Sequence, residues 1–232
     1  MNQIEFIGIA GSGKTTSTKI LYQNFKKKKQ KIIYVNKYLF ESSSQILRYF
    51  LALNLLFVSL FIDISSIISS FLILFKLKTN IKISLNYLLQ LSLLIILKKI
   101  NKFIYIYDQG IIQAVLSLLA SSENKINIKF IKKLLISKYL PSFLIKTYSP
   151  DEINFLRIKN RHDKRKSRML KSGVDGKYWK NYLKAIDQIE KILKEENILV
   201  YKLDSNCSFE ELNLRIDLIF NLIKNDLNKK FS

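Results

Sequence analysis

Short apolar runs alternate with helix-period patterns along most of the chain. QIEFIGIA (2–9) is strand-like, and after a glycine-rich loop residues 14–25 place Ile20, Leu21 and Phe25 on one helical face. Further short runs follow at KIIYVN (31–36), KFIYIYD (102–108), SFLIKTY (142–148) and ILVYKLD (198–204). Each is apolar throughout rather than alternating, and helical pattern separates each from the next. That combination predicts parallel strands covered by helices on both faces. A last helix, from about Phe209 to Asp226, repeats Leu212, Ile216, Ile219 and Ile223 at helical spacing.

Between the second and third runs the pattern changes. Residues 49–75 hold one charge, Asp63, in 27 positions, enough length to span a bilayer. Asp63 sits near the middle, where insertion would cost roughly 2.5–3.5 kcal/mol. Asn54, Ser59, Asp63, Ser66 and Ser70 recur at helical steps and draw one polar stripe. Residues 83–97 are too short to cross comfortably, and lysines flank both apolar stretches without asymmetry. Residues 42–99 therefore read as long, mostly buried helices attached to the core, with attachment to a membrane surface or a true span as the alternatives, and a homodimer formed through them also open.

Composition narrows the class. With 232 residues, 48% of them hydrophobic, and only two prolines and six glycines, the chain reads as one domain with a helical elaboration. The lone Cys207 excludes an internal disulfide framework and fits a reducing cytoplasm. The first residues lack a basic region and run directly into a strand-like segment, against a signal peptide. The net charge of +21 would suit nucleic acid, anionic lipid or phosphorylated metabolites, but its lysines are scattered, so nucleic acid is not favoured. KKKK at 26–29 closes the first helix, where cations favour the helix dipole.

The loop GIAGSGKTT (8–16) carries the chemistry. Gly8, Gly13, Lys14 and Thr15 satisfy G-x-x-x-x-G-K-[ST] after a strand and at a helix start. Gly8, Gly11 and Gly13 let successive N–H groups, including those of Ser12 and Thr16, converge on a phosphate at a helix N-terminus. Lys14 sets a cation against the β- and γ-phosphates, and the Thr15 hydroxyl is a ligand for Mg²⁺. The expected cofactors are ATP and Mg²⁺.

Two further segments complete a candidate site. Asp108 ends the third strand in YDQG and can hold the metal or orient an acceptor. After the fourth strand, SPDEINFLRIKNRHDKRKSRML (149–170) displays Arg157 and Arg161 one turn apart, with Arg165 and Arg168 in the polar segment that follows. Arginines on a lid, about 157–176, suit phosphoryl transfer because they exclude water and offset transition-state charge. His162 is the only histidine, which argues against a histidine triad or a zinc cluster; Trp179 and Tyr182 read as core packing.

The order of P-loop, DQG followed by IIQA, then Pro150, Glu152, Arg157 and Arg161, an Arg-bearing lid, and finally YLKAIDQIEKIL and ILVYKLDSNCSFEEL resembles thymidylate kinase and the wider nucleoside-monophosphate kinase family. The resemblance covers residues 2–36 and 100–225 and hardly touches 37–99. It implies an α/β, three-layer P-loop NTPase fold whose five parallel strands run in the order 2-3-1-4-5, with the helical insertion added. The core is then 1–41 and 100–228, with 42–99 on the acceptor side and adenine near Ser205–Ser208. Catalysis falls to Lys14, Asp108, Arg161 and Arg165, with Arg157 and Arg168 on the nucleotide. Where the family carries an Asp-Arg pair after strand three, Gln109 stands here, and its R-E-P-G segment has only Lys37, Glu41 and Arg48 as loose stand-ins. The expectation is ATP-dependent transfer to a small acceptor: a nucleoside monophosphate, a nucleoside or a sugar. The rival is a nucleotide-dependent switch or scaffold at a membrane surface, although no guanine-reading N-K-x-D is present.

Overall fold

A computed structural model describes residues 2–36, 45–77, 79–100, 102–122, 128–160, 173 and 176–229. Five parallel strands, β1 (Asn2–Ile7), β2 (Ile32–Tyr34), β3 (Ile104–Tyr107), β4 (Phe143–Tyr148) and β5 (Leu199–Asp204), form one sheet in the order β2-β3-β1-β4-β5. Ile4 of the central strand pairs with Ile106 on one side and Phe143 on the other. Such a strand has neighbours on both edges and helices on both faces, which explains its unbroken apolar character.

Side chains of period two sort the core into two layers. Ile4, Phe6, Ile104, Ile106, Phe143 and Ile145 face α1 (Lys14–Lys27) and the C-terminal helix α8 (Phe209–Lys229). There the rings of Phe25 and Phe220 meet edge to face, 4.7 Å between centroids. The opposite face, with Ile7, Tyr105, Tyr107 and Leu144, packs on α3 (Ile81–Ile100), α4 (Ile111–Ser121) and α7 (Lys177–Glu195). Two shorter helices, α5 (Ile128–Leu134) and α6 (Asp151–Lys159), flank β4 in sequence. Glu5 lies between inward-facing apolar neighbours on β1 and points to the α4 side.

The insertion departs from the expectation. α2 (Gln45–Leu77) is interrupted at Asp63, whose backbone is non-helical (φ −152°, ψ 72°). It forms an antiparallel hairpin with α3 but is not mostly buried: 17% of its apolar stretch is buried against 50% for α3. Of the stripe identified in the sequence, Ser59, Asp63, Ser66 and Ser70 face the body, whereas Asn54 is exposed and donates to the Phe50 carbonyl of its own helix. Ser59 donates to Ser92 Oγ (2.9 Å), Ser70 and Tyr87 share a hydrogen bond (3.3 Å), and Tyr87 donates to the Leu134 carbonyl (2.9 Å). Ile67, Ile73, Leu74 and Leu77 share that inner side, and the remaining large apolar side chains of α2 are left outside.

Candidate functional site

β1 delivers the chain into the glycine loop, and the loop turns into α1. At Gly11 the backbone is left-handed (φ +88°), and a Cβ there would stand 2.3 Å from the carbonyl oxygen of Asn154 on α6. Only glycine tolerates both. Lys14 Nζ donates to the carbonyls of Gly8 and Ile9, each at 2.7 Å, so its ammonium lies over the loop that the motif predicts it to serve. Ser12 is committed internally: its hydroxyl shares a 2.8 Å hydrogen bond with Thr147, and its N–H donates to the Ile9 carbonyl. Thr15 and Thr16 are exposed at the first turn of α1.

The tip of β3 meets that first turn. Thr15 Oγ1 donates to Asp108 Oδ2 at 3.1 Å, across 93 residues of sequence. Asp108 is buried, and its Oδ1 has no hydrogen-bond partner among the described residues. Burial raises its pKa above the ordinary carboxylate range, while Thr15, the nearby Tyr34 hydroxyl and the charge of Lys14 pull the other way. The neighbouring Gln109 side chain is exposed.

On the other flank Arg157 joins three segments. Its guanidinium donates to the Ser205 carbonyl (3.0 Å), the Ser205 hydroxyl (3.3 Å) and the Gly11 carbonyl (3.4 Å). Ser205 in turn donates to the Ser12 carbonyl at 3.0 Å. The arginine of α6 thus ties the glycine loop to the loop after β5, where Cys207 also lies, packed against the core. Arg161, Arg165, Arg168 and His162 lie outside the described residues, as do Lys37 and Glu41; the side chain of Arg48 does too.

Three residues with no place in the motif support the loop from below. Gly8 N–H donates to Gln113 Oε1 (3.4 Å), Gln113 Nε2 donates to the Tyr182 hydroxyl (2.9 Å), and Tyr182 donates to the Gly8 carbonyl (2.8 Å), closing a ring. Glu5 accepts from the N–H groups of Gln113 (2.8 Å) and Ile112 (3.2 Å) at the start of α4. A Cβ on Gly110 would come within 2.6 Å of that carboxylate, so the glycine of DQG is needed for close approach. Burial pushes Glu5 up to about 7 despite these donors. Tyr182 and Trp179 are core residues with polar tips in use, since Trp179 Nε1 also donates to Asp151 at 3.2 Å. A carboxylate inside an apolar strand was the available signal for Glu5; Gln113 and Tyr182 fall in the IIQA and YLKAIDQIEKIL segments that carry the resemblance, but nothing there marks their contact with Gly8.

The donor set suits a hard cation. Mg²⁺ takes oxygen ligands, commonly one or two carboxylates with substrate phosphates, and a buried carboxylate oxygen without a partner beside a threonine hydroxyl at a P-loop fits that preference. Among the described residues no cluster of three or more His, Cys, Asp or Glu exists, so such an ion would complete its shell from phosphate and water.

No protein-family model matches the chain, and no curated protein matches it. Among solved structures, deoxyadenosine kinase from M. mycoides with bound dATP is similar at a TM-score of 0.51 and 16% identity, over 96% of this chain and 99% of that one. The same enzyme with bound dCTP gives 0.50 at 16% identity, with the same coverage. These likenesses and the strand order show the three-layer α/β P-loop fold. Support for the resemblance to thymidylate kinase stops at that fold.

Proposed function

We propose that the chain is an ATP-dependent kinase that moves the γ-phosphoryl group onto the hydroxyl of a small acceptor, a nucleoside by preference. The observation that carries this is the convergence of Thr15 and the half-satisfied Asp108 carboxylate at the P-loop, with Lys14 alongside. A phosphate-binding loop alone would serve many purposes. A buried carboxylate at the tip of the adjacent strand adds what transfer requires, a fixed anion that accepts from a hydroxyl or holds a metal.

In this reading the acceptor hydroxyl passes its proton to Asp108 Oδ1 while its oxygen forms a bond to the γ-phosphorus, and the bond to the bridging oxygen breaks as ADP leaves. Lys14 exchanges its contacts with the Gly8 and Ile9 carbonyls for phosphate oxygens. The N–H groups at the start of α1 and the helix dipole hold the chain of phosphates. Thr15 and Asp108 would hold Mg²⁺, which supplies charge neutralisation between the β- and γ-phosphates. Arg157 braces the glycine loop against the Ser205 loop on the adenine side, and Arg161, Arg165 and Arg168 would close over the phosphates as a lid. The core 1–41 and 100–228 then carries the nucleotide chemistry, with 42–99 beside the acceptor.

Gln109 favours a neutral acceptor, because a position where an arginine would grip an acceptor phosphate holds an exposed amide. The deoxyadenosine kinases of similar fold support the same choice. The test is a panel of nucleosides, nucleoside monophosphates and sugars offered with ATP and Mg²⁺. ADP release should rise with a nucleoside; ATP hydrolysis indifferent to every acceptor would refute the reading.

A further inference from the structure

α2 turns Ile67, Ile73, Leu74 and Leu77 to the core, but it also leaves a second set of large apolar side chains outside, where a helix on the surface of a soluble domain carries polar ones. Ser59, Ser66 and Ser70 are buried, and Asp63 is held by the Tyr139 hydroxyl (2.5 Å) and Lys138 (2.6 Å) of the segment before β4. The outward side presents Phe50, Phe57, Phe61, Ile64, Leu72 and Phe75, with Phe61 79% and Phe75 80% exposed. Successive members stand about one or two helical turns apart, in a strip of roughly 17 Å on each side of the Asp63 interruption at 1.5 Å per residue. Exposed apolar surface on that scale marks an interaction face.

Charge and local chemistry identify the occupant. A second copy would bring +21 against +21, which opposes self-association, whereas the same charge is attracted to an anionic surface. Beside α2, at Ile62 and Asp63, a cavity of about 440 Å³ is lined by Lys98, Lys99, Lys138 and Tyr139. The single carboxylate there is already paired with Lys138, so the cavity is net cationic and suits a phosphate headgroup. Small and hydroxylated residues at the α2–α3 contact, with apolar ones outside, are the arrangement that helices adopt when lipid is the outer solvent.

We propose that the outward face of α2 docks this domain onto an anionic phospholipid bilayer, lying in the interfacial plane, with Lys98 and Lys99 meeting lipid phosphates. The helix does not need to span. Its polar side is fixed to the body by the Ser59, Asp63 and Ser70 contacts, so only the outer strip enters the acyl region. This proposal stands apart from the phosphotransfer reading, because it concerns a different surface.

The experiment is co-sedimentation of the full chain with vesicles of phosphatidylcholine alone and of phosphatidylcholine mixed with phosphatidylglycerol. The expected result is binding to the mixed vesicles, weakened by salt and much reduced on phosphatidylcholine. The double variant Phe57→Glu/Phe61→Glu alters two exposed positions and should lower partitioning by about 100-fold or more, with its melting transition retained. Lys98→Glu/Lys99→Glu should weaken the preference for anionic lipid more than the same change at two lysines remote from α2. A chain that stays in the supernatant with both vesicles would overturn the proposal, as would equal binding to both. A dimer dissolved by Phe57→Glu/Phe61→Glu, with no vesicle binding by the parent, would assign the face to a second copy and overturn it equally.

Discussion

The Thr15 hydroxyl donates to the Asp108 carboxylate at 3.1 Å, joining the first turn of α1 to the tip of β3. β1 and β3 are hydrogen-bonded neighbours, with Glu5 in register with Tyr107, so the two loops that follow them emerge side by side at the same edge of the sheet. The contact is therefore a consequence of strand order.

Asp108→Asn keeps the shape and removes the charge. It should lower kcat by about 10²–10⁴-fold, the range for loss of a positioned acid–base group. Because burial raises the Asp108 pKa, the parent rate should climb with pH over a range above that of an ordinary carboxylate, near 4. The D108N enzyme should lack that limb. Profiles of kcat against pH for the two proteins make the comparison.

Tyr182→Phe deletes one oxygen from the ring that Tyr182 forms with Gly8 and Gln113. The variant leaves a buried amide donor on Gln113 unpaired and should lose about 1–3 kcal/mol of stability. It should also raise KM for ATP, because the Gly8 carbonyl loses one of its two donors. Denaturant unfolding and ATP titration of the same preparation separate the two effects.

These two relationships differ in how readable they are from the sequence. The motif at 8–16 and the acid ending the third strand are local patterns, so the P-loop and Asp108 are legible in the sequence, whereas the sheet order 2-3-1-4-5 comes only as what the resemblance to thymidylate kinase implies. Gln113 and Tyr182 meet Gly8 across 105 and 174 residues, and neither carries a local mark of that contact. The stripe on α2 was legible as a stripe. Periodicity shows that Ser59, Asp63, Ser66 and Ser70 share a side, but not whether that side meets water or protein, and the partners that settle it, such as Ser92 and Lys138, are distant. At the kink Asp63 accepts from the Ser66 N–H (3.3 Å) three residues on and pairs with Lys138.

Arg157→Ala should loosen the glycine loop from the Ser205 loop. Charged hydrogen bonds of this kind contribute about 1.5–3 kcal/mol each, so KM for ATP should rise by about tenfold or more. Arg157→Lys should recover only part of the loss, since a point cation cannot reach the Gly11 and Ser205 acceptors together as the planar fork does. Steady-state kinetics on the two variants decides between a bracing role and a purely electrostatic one.

Glu5 gives the fold a pH dependence of definite sign. Its folded pKa is raised from 4.5 to about 7, so the native state binds the proton more tightly than the unfolded chain. The associated stability is fully present below pH 4.5 and is lost as pH rises to about 7, a difference on the order of 3 kcal/mol. Glu5→Gln should flatten the decline in unfolding free energy across that window. Denaturant titrations at a series of pH values measure the slope in each protein.

The central claim, transfer to an acceptor rather than to water, is tested most directly by following the label of γ-labelled ATP with Mg²⁺ and a set of nucleosides. The parent chain should place label in a nucleoside monophosphate, and Lys14→Ala should place none above the uncatalysed background. Label recovered only as inorganic phosphate with every nucleoside, or transferred by the K14A variant at the parent rate, would contradict the account.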